Sequence, residues 1–385
     1  MAECRPQALR IGDLTAPLPI IQGGMGVGVS LSGLASAVAN EGGIGVIACA
    51  GIGMIEADLF KNFLAANTRA LRKEIRHARE LSAGILGVNI MVALSNFGEL
   101  VKTSLEEGVD IIFSGAGLPL DLPNYRRGCD HTKLVPIVSS GRAARIIAKR
   151  WMERYDYPPD AIVVEGPRAG GHLGFKPEQI GDPAYALESL LAEVLAEITP
   201  FEVKARRPIP VIAGGGIYTG ADIYRFFQLG AAGVQMATRF VTTHECDASA
   251  SFKDAYIRAT PEDVVIIKSP VGMPGRAIRN QFLKDVEAGK RMPFTCPYHC
   301  ILTCDYLNSP YCIALALINA QRGRMGHGFA FAGENAYRAT EILSVKDLVA
   351  TLLDEYHAAR WQDLQPLEEG LRARPHEEGR ASAPR

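Results

Sequence analysis

Apolar positions along this chain gather into short, nearly unbroken runs, and between the runs they recur at every third or fourth residue. The runs fall at residues 17–22, 44–49, 86–92, 110–115, 134–140, 161–166, 208–216 and 232–240. Each is short and most are rich in Val and Ile, as strands buried on both faces require. The helical period occupies 31–42, 55–82, 96–107, 142–154, 184–199 and 219–230. Strand alternating with helix predicts an α/β fold whose parallel sheet is covered on both sides. An open doubly wound sheet satisfies the same pattern. Eight strands within about 240 residues suit a closed (β/α)8 TIM barrel better.

The alternation breaks after residue 245. Residues 269–280, SPVGMPGRAIRN, read as loop, with Pro and Gly at turn positions. An apolar helix follows at 312–323, and an amphipathic helix at 344–360 is expected to pack back on the barrel. The chain is therefore read as a barrel over 1–245 closed by helix 344–360, a C-terminal lid and substrate segment inserted over 246–335, and a polar, disordered tail at 366–385.

Composition narrows the function classes. Hydrophobic residues make up 48% of the 385, so a large core is available and whole-chain disorder is excluded. Lys plus Arg is 41 against 42 for Asp plus Glu, a balance that argues against nucleic acid as partner. No apolar run reaches the roughly 18 residues of a membrane span, and the N-terminus has no apolar signal core, so a cytoplasmic address is the default. Cysteines in that compartment are not expected to form a disulfide framework, and Cys4, Cys49, Cys129 and Cys246 read as small apolar residues.

In a barrel of this kind the chemistry lies where the strands end. The strand ends here carry Gly23, Gly24 and Met25, then Asn89, Glu165, the run Gly214-Gly215-Gly216, and Gln235-Met236-Ala237-Thr238. They are mostly small or neutral, which suits a planar ligand held by main-chain groups rather than a binuclear metal centre. Three successive glycines, paired with Thr238 on the next strand, predict a phosphate site, because such loops present a nest of backbone N–H groups. A tight turn needing positive φ is the plainer alternative. His172 lies among glycines in EGPRAGGHLGF (165–175), so an exposed, mobile imidazole is expected, free to act as general base or proton donor. A surface loop histidine would look the same.

The pieces PLPIIQGGMGVGVS, GVNIMVALSNF, FSGAGLP, EGPRAGGHLGF, PVIAGGGIYTG, GAAGVQMATRFVTTHEC and SPVGMPGRAIRN occur in that order. In them the chain resembles the nitronate monooxygenase (2-nitropropane dioxygenase) family, which includes the flavin-dependent type II enoyl-acyl-carrier-protein reductases. The resemblance implies FMN as resident cofactor. It places Gly23, Gly24 and Met25 along the flavin ring with Asn89 near it, and Glu165 and Gly171 beside the cofactor. Gly215, Gly216, Met236, Ala237 and Thr238 would hold the phosphate, and His172 matches the family's active-site histidine. The implied activity is an FMN-dependent oxidation of alkyl nitronates with dioxygen. The alternative is reduction of an activated C=C bond such as an enoyl thioester, fed by NAD(P)H or an electron-transfer protein. FSGAGLP has the form associated with the reductase branch. A catalytically idle flavin- or phosphate-binding barrel is the reading from another class. Partners would be a small-molecule substrate, neither nucleic acid nor membrane, and in quaternary structure a homodimer is an open option.

The segment CPYHCILTCDYLNSPYC places Cys296, Cys300, Cys304 and Cys312 within seventeen residues. Four thiolates so close match the need of one [4Fe-4S] cluster first and of a structural zinc second, with His299 able to replace one ligand. Four reduced, metal-free thiols on a lid helix are the remaining reading.

Overall fold

The computed structural model describes residues 6–126, 128–292, 294–296 and 299–372. Strands β1 (Leu9–Ile11) and β2 (Leu14–Ala16) pair as an antiparallel hairpin. A closed barrel of eight parallel strands follows. In chain order these are β3 (Ile20–Gln22), β4 (Ile44–Ala48), β5 (Ile85–Met91), β6 (Ile111–Gly115), β7 (Lys133–Val138), β8 (Ile162–Glu165), then, after the two-residue strand β9 (Gly171–His172), β10 (Val211–Gly214) and β11 (Gly233–Met236). All eight expected strands are present, and the fold is a (β/α)8 TIM barrel.

Alternation along each strand explains why the runs are unbroken. Ile21, Val46, Phe113, Val163 and Ile212 fill the barrel interior, with Leu9 and Ile11 of the hairpin packed among them as a plug. Their neighbours Ile20, Ile47, Ile112, Val164 and Ala213 face the helices. Phe113 is fully buried, and Gly87 on the adjacent strand makes room for it, since a Cβ there would stand 2.8 Å from the ring. Truncating such a ring costs about 3–5 kcal/mol.

The outer layer begins with α1 (Ser32–Asn40), α2 (Phe63–Leu81) and α3 (Phe97–Glu106). Among the described residues, the crossover after β6 has a 3-10 turn, Leu122–Arg126, in place of a full helix. Beside it the buried Trp151 of α4 (Gly141–Tyr155) donates its indole N–H to the Pro119 carbonyl at 2.9 Å. Helices α5 (Leu187–Ala205) and α6 (Gly220–Gln228) cover β8 and β10, and β11 is followed only by the single turn α7 (Thr238–Val241). The chain then makes a long excursion through α8 (Ala250–Ile257), the antiparallel strands β12 (Val264–Lys268) and β13 (Pro274–Ile278), α9 (Gln281–Glu287) and α10 (Ile313–Gln321). It returns as α11 (Val345–Arg372), which packs on α6 and α1. Gly220 permits that contact, because a Cβ would lie 2.0 Å from the Leu352 carbonyl oxygen.

Two expectations differ: residues 274–278, read as loop, form strand β13, and the end of the last helix moves. The last helix runs to Arg372 instead of ending at 360, so residues 366–372 are helical where a disordered tail was expected. Residues 373–385 of that tail, like Cys4, lie outside the described residues. Among the described residues no helix is long and apolar enough to cross a membrane.

Candidate active site

A cavity of about 610 Å³ opens at the carboxyl ends of the barrel strands. Gly23, Gly24, Met25, Asn89, Glu165, Gly171, His172, Gly215, Gly216, Gln235, Met236, Ala237 and Thr238 all border it. Gly214 does not; it is the last residue of β10, buried and paired with Glu165 and Gln235.

The glycines are there for space and for backbone conformation. A Cβ on Gly24 would stand 2.4 Å from Cβ of Asn89, so the chain passes flat against that side chain. Gly215 and Gly216 have φ of +95° and +90°, which only glycine adopts without strain. A Cβ on Gly215 would also strike the Gly166 carbonyl oxygen at 2.8 Å, and one on Gly216 would strike Arg168 at the same distance. Next to them, a Cβ on Gly333 would lie 2.5 Å from Oγ1 of Thr238. Asn335 fixes this corner by donating to the Gly216 carbonyl at 2.8 Å. The result is a cleft of main chain and one hydroxyl, shaped for a group that approaches the backbone closely.

Across the cavity, β9 joins the edge of the β12–β13 sheet, with His172 opposite Gly275 and Gly171 opposite Arg276. Arg276 is buried, and its guanidinium donates to the carbonyls of Pro167 and Ala169, both at 2.6 Å. Those bonds clamp the glycine-rich loop after β8. His172 Nε2 lies 2.7 Å from the hydroxyl of the buried Ser269, and the ring meets Phe331 edge-on at 5.0 Å between centroids. The expectation of an exposed, mobile imidazole is therefore corrected: strand pairing holds it in place. Among the described residues Nδ1 has no hydrogen-bond partner in the protein.

Burial sets the charge state. It lowers His172 to a pKa of about 4, so the imidazole is uncharged at neutral pH. Burial raises Glu165 to about 7, with no nearby cation to oppose it. The site thus offers an empty proton acceptor and a carboxyl poised between its two forms. Ser269, Arg276, Phe331, Gly333 and Asn335 complete it; Ser269 and Arg276 belong to the motif SPVGMPGRAIRN but were given no role there, and Phe331, Gly333 and Asn335 were not among the residues picked out from the sequence.

Cys49 and Cys246 are buried, as small apolar residues would be, and Cys129 is half-buried. Cys296, Cys300, Cys304 and Cys312 are all half-buried free thiols of the excursion. Among the described residues, no three His, Cys, Asp or Glu side chains converge as the ligands of a single metal ion.

A barrel whose glycine-lined mouth is joined by a histidine and a buried carboxyl suits a flat ligand held by main chain beside groups that handle protons, and comparison with known proteins gives its family. The nitronate monooxygenase family profile matches residues 9–355, and the chain belongs to that family. It is 29% identical over 273 residues to the Mycobacterium tuberculosis (3aS,4S,5R,7aS)-5-hydroxy-7a-methyl-1-oxo-octahydro-1H-indene-4-carboxyl-CoA dehydrogenase, covering 71% of this chain and 66% of that one. It is also 29% identical over 311 residues to a probable nitronate monooxygenase of Staphylococcus aureus, covering 71% and 78%. Among solved structures it resembles FabK from Thermotoga maritima, at 27% identity and a TM-score of 0.69 over 92% of this chain and 95% of that one. The nitroalkane oxidase of Streptomyces ansochromogenes shares the fold, at 24% identity and a TM-score of 0.69 over 90% and 97%.

Proposed function

We propose that the protein is an FMN-dependent oxidoreductase that oxidises alkyl nitronates with dioxygen. The observation that carries this reading is His172: an uncharged imidazole, fixed by Ser269 and open at Nδ1, at the wall of a cavity shaped for a flat ligand. The cavity fits FMN at both ends. The ring would lie along Gly23, Gly24 and Met25, where the missing Cβ of Gly24 leaves room beside Asn89. The phosphate would sit against Gly216, Thr238 and Gly333, where added side chains would fill the cleft. Bound there, FMN supplies the electron acceptor, and dioxygen is the final oxidant.

The side chains supply binding and proton handling. Where the substrate arrives as the neutral nitroalkane, His172 would take its α-proton at the free ring nitrogen to give the nitronate, while Ser269 keeps the imidazole in one orientation. Glu165 in its protonated form leaves the cavity without a carboxylate to repel an anionic nitronate. Phe331 and Tyr256 border the substrate side and exclude water.

The second reading is reduction of an activated C=C bond with NAD(P)H. It is supported by the likeness to FabK and by the FSGAGLP motif, whose Gly115, Ala116, Gly117 and Leu118 line the cavity. Anaerobic rapid mixing decides between the two. Flavin bleaching by propyl-2-nitronate and not by NADPH supports the oxidation, and the converse supports the reductase. Bleaching by neither would leave a binding barrel without redox turnover.

A further inference from the structure

The cysteine segment is stitched to the barrel mouth. Leu302 donates its backbone N–H to the Ala93 carbonyl at 2.9 Å, Ser95 donates to the Cys300 carbonyl at 3.1 Å, and Leu94 bridges to Ile301. Met292 donates to the Pro310 carbonyl at 2.7 Å and ties the ends of the segment together. The Cys304 N–H closes a turn on the Ile301 carbonyl, and His299, at φ +45°, contacts the Cys304 carbonyl through Nε2 at 2.9 Å. This folding turns a linear run of cysteines into one corner. Cys300 lies within electrostatic reach of Cys296, Cys304 and Cys312, and Cys296 and Cys312 are in turn within reach of Cys304 and of each other.

Four thiols in one corner suit two kinds of occupant, a single zinc ion or an iron–sulfur cube. A tetrahedral zinc ion with Zn–S bonds of about 2.3 Å needs its sulfurs within about 4 Å of one another. No such convergence exists among the described residues. An iron–sulfur cube places an iron in front of each thiolate and so needs the four sulfurs further apart around one volume. The surroundings suit such a cube. Cys300 and Cys312 pack against Val27, Met54, Ala66 and Ile318, an apolar wall. Cys312 is the N-cap residue of α10, where burial raises its thiol pKa and the backbone N–H groups of Leu315 and Ala314 oppose that rise only in part. Hydrogen bonds to sulfur are among the means by which proteins tune these centres.

We propose that Cys296, Cys300, Cys304 and Cys312 hold one [4Fe-4S] cluster at the edge of the barrel mouth. Val27 belongs to the apolar wall behind Cys300 and Cys312 and also borders the cavity, as does Leu317, five residues along α10 from Cys312. Val27 and Leu317 are thus shared between the surroundings of the cysteines and the lining of the proposed flavin site. The cluster would pin the excursion to the 92–96 loop, and its binding releases the thiol protons. This assignment stands whichever way the flavin reaction runs.

The test is the full-length protein purified under argon, assayed for iron, acid-labile sulfide and zinc, and examined by electron paramagnetic resonance after dithionite reduction. About four irons and four sulfides per chain are expected, with the signal of a reduced cube. Cys300→Ser should lose most of the iron and sulfide while keeping its flavin, and Cys129→Ser, outside the group, should keep both. If Cys300→Ser fails to fold, the iron and sulfide content of Cys304→Ser serves instead. Stoichiometric zinc without sulfide would overturn the proposal. So would four titratable thiols, or disulfides, after anaerobic reconstitution with iron and sulfide. Flavin bleaching by nitronate or NADPH is scored separately, so failure of the cluster and failure of the proposed reaction are distinguishable.

Discussion

Glu165 is the site residue whose environment yields a measurable quantity without knowledge of the substrate. Its carboxyl ends β8 and borders the cavity, and among the described residues no cation or donor favours the charged form, so burial lifts it from the ordinary 4.5 to about 7. At about 1.4 kcal/mol per pH decade, that rise corresponds to at most about 3.5 kcal/mol, less whatever cavity water returns by solvating the charge. The sign follows from proton counts. Between pH 4.5 and 7 the native state keeps a proton that the unfolded state has released, so stability falls as pH rises through that window. Below it both states are protonated, and above it both are ionised, so the loss is complete. Glu165→Gln keeps the shape and cannot ionise. In flavin-free protein the variant should match wild type near pH 4.5 and become progressively more stable relative to it up to pH 8. A thermal-melt series of both proteins across that range reads the difference. Parallel profiles would show that Glu165 does not carry a buried, raised pKa, and would remove the neutral-cavity argument for nitronate binding. Under the oxidation reading, wild-type turnover should also decline above pH 7 and the variant's should not.

Three further outcomes follow from the same geometry. His172→Asn should retain flavin and lose about 10²–10⁴-fold in kcat on the true substrate, and unchanged turnover would take the imidazole out of the reaction. Ser269→Ala removes the 2.7 Å partner of His172 and should lower kcat by about fivefold with little change in flavin content, the scale of one neutral hydrogen bond; equal loss of flavin would mark a purely structural role. Thr238→Val keeps the side-chain shape but deletes the hydroxyl beside Gly333, and should weaken flavin binding about 10–100-fold by titration of apoprotein; full retention would move the phosphate elsewhere.

The barrel was legible because each of its strands is buried on both faces and so wrote itself as an apolar run. Residues 111–115, wholly buried, are an example. The glycine ends were legible for a related reason, since close backbone approach at Gly24 and positive φ at Gly215 and Gly216 admit few other residues. The partners of His172 were not. Ser269 lies 97 residues away, and only the antiparallel pairing of β13 with β9 brings it there. The glycines around His172 read as a mobile loop because local sequence carries no sign of a distant strand edge. The last helix runs on past Pro366 and Gly370, residues that oppose helix and made this stretch read as tail; extending an existing helix needs no new nucleation, and Leu and Glu between them are good helix formers.

The barrel and the excursion divide the work at this site unequally. The barrel strands end in glycines and small neutral groups, which can hold a flat anionic ligand but offer little to move a proton. Proton handling depends on His172, whose position is set by Ser269, Phe331 and the strand edge of β13, all from the excursion. Arg276, on the same strand, clamps the loop that carries the histidine. Substitution in the barrel mouth should therefore act first on cofactor retention, and substitution in residues 264–278 first on turnover. A family sharing this barrel can thus support oxidation in one member and reduction in another, since the elements that face the substrate lie outside the strands that define the fold.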